Sequence, residues 1–208
     1  MPRVQAETPT PIAVGRGPRR LSKVARRKQL ISAAMPVVAA QGFADFSLDE
    51  VAARADVSRN LLYHYFPDGR NDLVRAVAEE AGHRLTDDWV TDESIPLPER
   101  LAINNARMIE HAMAPSDAWT IYQLARGATD PELRATVDRF VEVVVTATSL
   151  NQLGTDDPPP LARVALKGYL GFFGSVLDEA RVTGTPPELI LDLLGKTLFA
   201  ALDVARQQ

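Results

Sequence analysis

Five clusters of proline and glycine cut the C-terminal part of the chain into helix-length segments, and no segment shows sustained alternation of apolar and polar residues. The breaks are Pro96 with Pro98, Ala114-Pro115, Asp130-Pro131, the run from Gly154 to Pro160, and Gly184 to Pro187. Proline fixes φ and lacks a backbone donor, while glycine accepts the left-handed backbone at a helix C-terminus, so each cluster stops one helix or starts the next. Helices are expected at about 47–54, 58–65, 71–90, 97–113, 115–127, 130–152, 159–182 and 186–206. Upstream, Val24, Ile31, Met35 and Val38 recur at helical spacing and end at Gln41-Gly42, which gives a first helix starting near Leu21. Pro36 lies inside that helix and is expected to kink it, because it removes an N–H and crowds the Ser32 carbonyl. With no strand pattern and no internal repeat, the fold class is all-α.

Of the 208 residues 46% are apolar, enough for one large helical domain or two smaller ones. The absence of cysteine excludes disulfides and thiol chemistry, and three scattered histidines give no metal-ligand spacing, so neither a metal nor another cofactor is expected. No stretch reads as a signal peptide or a membrane span, which points to a cytoplasmic protein with no membrane partner. The net charge of −4 hides an asymmetry: residues 1–30 carry eight basic side chains against one acidic, and residues 86–208 carry ten against eighteen. A basic leading end on an acidic body suits a protein that meets a polyanion at one end, although a solvated basic tail without a partner has the same composition. Residues 1–20, with four prolines and two glycines, are expected to be a disordered tail whose Arg16, Arg19 and Arg20 could approach phosphates or a minor groove.

Ser47-Leu48-Asp49-Glu50 has the form of a capping box, in which the Ser47 hydroxyl accepts from the Glu50 backbone and Glu50 reaches back. The short helix it starts carries Leu48, Val51, Ala52 and Ala55 on one side. Asp56 then occupies a turn, Val57 plugs the angle, and Ser58 caps a second helix, which is a helix-turn-helix by spacing. Spacing alone also fits many helical hairpins.

The run from Phe46 through Leu61-Leu62-Tyr63-His64-Tyr65-Phe66-Pro67, followed by Asp72-Leu73, closely resembles the DNA-binding head of the TetR family of repressors. The similarity covers about 50 residues and extends to the Gln41-Gly42-Phe43 end of the first helix. It implies a three-helix helix-turn-helix head on a larger helical body for effector binding and dimerisation. The expected division is a tail at 1–20, a head at 21–85 and a body at 86–208. In the recognition helix, Leu62 and Phe66 face inward at i and i+4, leaving Arg59, Asn60 and His64 outside to meet base edges. Leu61 either touches a thymine methyl or packs on the first helix. The resemblance places Ser47, Tyr63 and Tyr65 at phosphates, with Ser58 at the helix start; Tyr65 could equally be a half-buried core ring. Asp56 stands where relatives carry glycine, and the loop before Leu73 is one residue longer, so the phosphate-binding lysine of relatives corresponds to Arg70.

Residues 86–208 hold no nucleophile-base set, no phosphate loop and no carboxylate pair in a recognisable context, so the chain is not read as an enzyme. One face of helix 97–113 carries Leu97, Leu101, Asn104, Met108 and His111, whose polar members need partners if buried. With Trp119, Tyr122, Phe140, Val144, Tyr169 and Phe173, residues Asn104, Met108 and His111 make candidate walls of a mostly apolar pocket for a small-molecule effector. The last two helices are apolar nearly all round, and Gly168, Gly171 and Gly174 form a flat strip. With Leu177, Leu194 and Leu198 they are read as the interface of a homodimer, as the resemblance also implies. The expected function is a dimeric, ligand-responsive repressor that binds double-stranded, palindromic operator DNA. The alternative is an architectural or partner-regulated DNA-binding protein without an effector.

Overall fold

The computed structural model describes residues 21–206 except 91, 93 and 115, so the expected basic tail at 1–20 lies outside the described residues. Among the described residues there are nine helices and no strand. The head is made by α1 (Lys23–Asp45), α2 (Leu48–Arg54), α3 (Arg59–Tyr65) and α4 (Arg70–Thr86). The body is made by α5 (Leu97–Met113), α6 (Asp117–Arg126), α7 (Pro131–Leu153), α8 (Pro160–Thr183) and α9 (Pro187–Arg206).

The punctuation read from the sequence has its expected chemistry. Pro131, Pro160 and Pro187 each occupy the first residue of a helix, where a missing N–H leaves no bond unmade. Gly154 (φ 72°) and Gly184 (φ 66°) end α7 and α8 in the left-handed conformation. Asp130 caps α7 by accepting from the Glu132 and Leu133 backbone at 2.8 and 3.0 Å.

Two boundaries differ from expectation, and α1 carries a backbone break at Gly42. α4 stops at Thr86 and not near Val90, because the Val90 backbone is captured from the side: Asn104 Oδ1 accepts from its N–H at 2.8 Å and Nδ2 donates to its carbonyl at 3.2 Å. α6 starts at Asp117, with the Ser116 hydroxyl accepting from the Trp119 backbone. Within α1 the non-helical residue is Gly42 (φ 79°, ψ 171°); Pro36 keeps helical dihedrals, and the break falls where glycine tolerates it.

A single apolar core runs from Leu30 in α1 to Leu202 in α9. Phe46 and Phe66 are wholly buried within its head portion, and truncating such a ring to alanine typically costs about 3–5 kcal/mol. α6 lies against both α1 and α4, α4 lies against α7, and α8 pairs with α9, so head and body share packing along α6 as well as along α4. No described helix is long and apolar enough to cross a membrane.

The expected dimer strip is corrected by this packing. Leu177, Leu194 and Leu198 are fully buried in the chain's own core, and Gly174 is covered by the Arg126 guanidinium, so none of the four reaches a free surface. Helical phase explains the error: the sequence shows that α8 and α9 are apolar on several sides but not which side meets their own chain. Gly168 and Gly171 are exposed, with open space where a Cβ would stand. Along its length α8 also exposes Val164, Phe172 and Val182, and α9 exposes Leu189, Leu193 and Val204.

Candidate functional site

The turn between α2 and α3 closes as a Schellman arrangement, with Asp56 N–H donating to Ala53 O at 3.1 Å and Val57 N–H to Ala52 O at 3.0 Å. It requires a left-handed residue, and Asp56 supplies it at φ 52°, the only positive φ at a non-glycine among the described residues. Gln29 of α1 donates to the Ala55 carbonyl at 3.1 Å and pins the turn against the first helix. The entry to α2 is only half the expected capping box. Ser47 Oγ accepts from Glu50 N–H at 3.2 Å, but Glu50 does not reach back. Gln41 intervenes, its Oε1 accepting from Ser47 N–H at 2.9 Å and its Nε2 donating to Glu50 Oε2 at 2.7 Å.

On α3, Leu62 and Phe66 are buried while Arg59, Asn60 and His64 are exposed, as the i and i+4 pattern demands. Arg59 is held in place: it bonds both carboxylate oxygens of Asp49 at 2.9 and 3.1 Å and reaches the Tyr63 hydroxyl at 3.4 Å. Ser58 caps the helix by accepting from Leu61 N–H, and Leu61 is half-buried. Tyr65 is a half-buried ring packed on the core, edge-on to His64 with centroids 5.2 Å apart. Tyr63 is exposed, its ring against Gly69 at the start of α4. Arg70 turns inward, donating to the Ala44 carbonyl at 2.6 Å and stacking on the Phe46 ring with its guanidinium carbon 4.5 Å from the centroid. It thereby ties α4 to the corner between α1 and α2.

The body encloses a second feature, a cavity with about 60 Å³ of room for the centres of water-sized molecules. Its wall is aromatic: Trp119 and Tyr122 have centroids 5.6 Å apart, Tyr122 and Phe140 5.1 Å, and Tyr169 and Phe173 6.0 Å. No described residue lining it carries a charge. Among the wall residues Trp89 Nε1 and Trp119 Nε1 are buried without a hydrogen-bond partner, and Asn105 Nδ2 and Tyr169 Oη have only each other, in a contact short of a full hydrogen bond. Burial pushes the Tyr169 hydroxyl well above the usual tyrosine range, and the neighbouring Asn105 amide offsets this only in part, so the phenol stays protonated. Burial likewise raises Tyr122, with Arg126 opposing.

The family model for bacterial regulatory proteins of the tetR family matches residues 30–77, which span the core of α1, the turn and the start of α4. The regulator BetI of Cronobacter sakazakii is 36% identical over 170 residues, covering 77% of this chain and 82% of BetI. The chain belongs to the TetR family of transcriptional regulators. Among solved structures, a TetR-like regulator from Rhodococcus sp. RHA1 superposes with a TM-score of 0.67 at 20% identity, covering 88% of this chain and 99% of that one. The multidrug binding protein EbrR, complexed with imidazole, gives 0.59 at 23% identity over 83% of this chain and 94% of that one. TetR-family proteins are regulators and not enzymes, so the all-α head and body form a DNA-binding regulator of transcription.

In this TetR-family chain the residues expected to wall a pocket largely converge. Asn104, Met108, Trp119, Tyr122, Phe140, Val144, Tyr169 and Phe173 line one cavity, whereas His111 is half-buried and outside its lining. Asn104 is at the wall, yet its amide is spent on Val90. The sequence reading missed Asn105 and Trp89. Asn105 lies one residue, and so about 100° of helix, off the face chosen from the periodicity. Trp89 stands beyond the end of α4, where no period applies. Leu97 falls outside the described side chains.

Proposed function

We propose that this protein is a dimeric repressor working in the cytoplasm, which binds a palindromic operator through α2 and α3 and releases it when a small molecule enters the body cavity. One observation carries the effector part: α6 contributes Trp119 and Tyr122 to the cavity and packs against both α1 and α4 of the head. A molecule that displaces those rings displaces a helix on which the head rests. Arg59, Asn60 and His64 are the base readers, and the hydroxyls of Ser47 and Tyr63 set register on phosphates. The head at 21–85 and the body at 86–208 are functional divisions of one continuous core. Pairing of α8 and α9 with a second copy would cover their exposed apolar side chains and set the two recognition helices about 34–36 Å apart, one turn of DNA.

Selection of genomic fragments by the purified chain yields the operator, and anisotropy of a labelled operator during a small-molecule screen tests release. Binding only to random DNA overturns the operator reading, and an operator complex that no cavity-occupying compound loosens overturns the effector reading.

A further inference from the structure

The chemistry of the unpaired atoms narrows what the cavity holds; this rests on the effector reading above. Indole N–H groups can only donate, and an amide Nδ2 can only donate. Trp119, Tyr169 and Asn105 are 3%, 6% and 9% exposed, so water reaches these groups poorly and a bound molecule is their natural partner. The fourth donor, Trp89, stands at the same wall. Of these groups only the Tyr169 hydroxyl can both donate and accept.

Charge selects further. No described lining residue is charged, and the nearest cation, Arg126, lies behind Gly174 with its guanidinium bonded to Gln123, so a carboxylate ligand would lose its hydration without a free cation at the wall, and an ammonium would find no anion. Aromatic faces attract cations, but the unmet indole donors of Trp89 and Trp119 present positive hydrogens and oppose one. A pure hydrocarbon would fit the walls and leave every donor unpaired, a loss that sites of this kind use to reject such analogues. We propose that the cavity takes an uncharged, ring-sized apolar molecule carrying acceptor oxygens, of the ketone, lactone, ester or quinone class, which accepts from Trp119, Asn105 and Tyr169.

The test uses the full chain and three probes of similar size: coumarin, which bears a lactone; naphthalene, which has no acceptor; and benzyltrimethylammonium, a cation. Affinities come from calorimetry, with tryptophan fluorescence as the reporter of place, since both tryptophans of the chain line this cavity. Coumarin is expected to bind tightest. Tyr169→Phe keeps the ring and removes one donor, and should weaken coumarin roughly 3- to 10-fold while leaving naphthalene within about twofold. Asn105→Leu is the second variant should the first fail to fold. Tighter binding of naphthalene or of the cation, absence of coumarin binding, or equal coumarin affinity in wild type and variant each overturns the acceptor-oxygen class. Operator release separates this from the underlying reading. Release by the cation or the hydrocarbon overturns the class and keeps the effector function, whereas coumarin that binds as expected without loosening any operator does the reverse.

Discussion

Phe140 packs on Gly82: a methyl group added to that glycine would stand 3.1 Å from the ring's Cδ2. The ring lines the cavity on α7, and the glycine lies in α4, the helix that leads out of the head. Any ligand that moves the Phe140 ring therefore presses on α4 directly. Gly82→Ala gains about 1 kcal/mol of helix propensity and loses part of it to the tight contact, so melting temperature should stay close to wild type. The coupling between effector and operator should change by at least about threefold within the usual range of 5- to 150-fold, read as operator affinity with and without saturating effector. Unchanged coupling in a folded variant removes this contact from the transmission path.

Arg59 is exposed and paired to Asp49, so the base-reading role proposed for it requires exchanging one partner for another. Arg59→Ala should lower operator affinity by about 1–3 kcal/mol per site and relax preference at particular base pairs. Asp49→Asn should tighten binding to all DNA slightly, since an exposed pair contributes about 0–1 kcal/mol and an anion is removed from the interface. Parallel titrations of operator and scrambled duplex at fixed salt decide; an operator preference that survives Arg59→Ala combined with Asn60→Ala rejects the recognition helix.

Arg70 is positioned as a brace by its bond to Ala44 and its stacking on Phe46. Arg70→Lys keeps the charge and loses the planar fork. If bracing dominates, the variant melts at a lower temperature and binds DNA more weakly with the salt slope unchanged. A slope lowered by about one in Arg70→Ala and restored in Arg70→Lys would assign it a phosphate contact instead.

Leu193 and Val182 are exposed on α9 and α8. Leu193→Glu should convert a dimer to a monomer in analytical ultracentrifugation and abolish cooperative operator binding, while the fold survives because the residue is outside the core. A variant that sediments as wild type would exclude this face from the interface.

Asp72 titrates below the usual carboxylate range, chiefly because it accepts the Asp68 backbone N–H at 2.7 Å and then because Arg75 bonds its other oxygen at 2.6 Å. A depressed folded pKa means that the unfolded chain binds the proton first. The contribution is complete above the unfolded value near 3.8 and is lost as pH falls through the lower folded value. Asp72→Asn should therefore be less stable than wild type at neutral pH, and the gap should close on acidification. Urea unfolding between pH 7 and pH 3 gives the comparison, and a gap independent of pH excludes the mechanism.

The sequence alone determined the helices and the reading head, because their causes are local. Proline and glycine act on their own dihedrals, Ser47 and Ser58 on backbone donors three residues on, and Leu62 and Phe66 on one face by a period of 3.6 residues. The aromatic walls of the cavity were legible for the same reason, as apolar faces of the three helices α6, α7 and α8. Only the tertiary structure decided what depends on groups far apart in the chain. It ended α4 at Thr86 through Asn104, gave the Ser47 N–H to Gln41 in place of Glu50, and turned Arg70 toward Ala44. It also placed Leu177, Leu194 and Leu198 in the core and left Val182 and Leu193 outside. Helical periodicity states that a helix has an apolar face, but the phase of each helix relative to its neighbours is set by packing, and no local pattern encodes it.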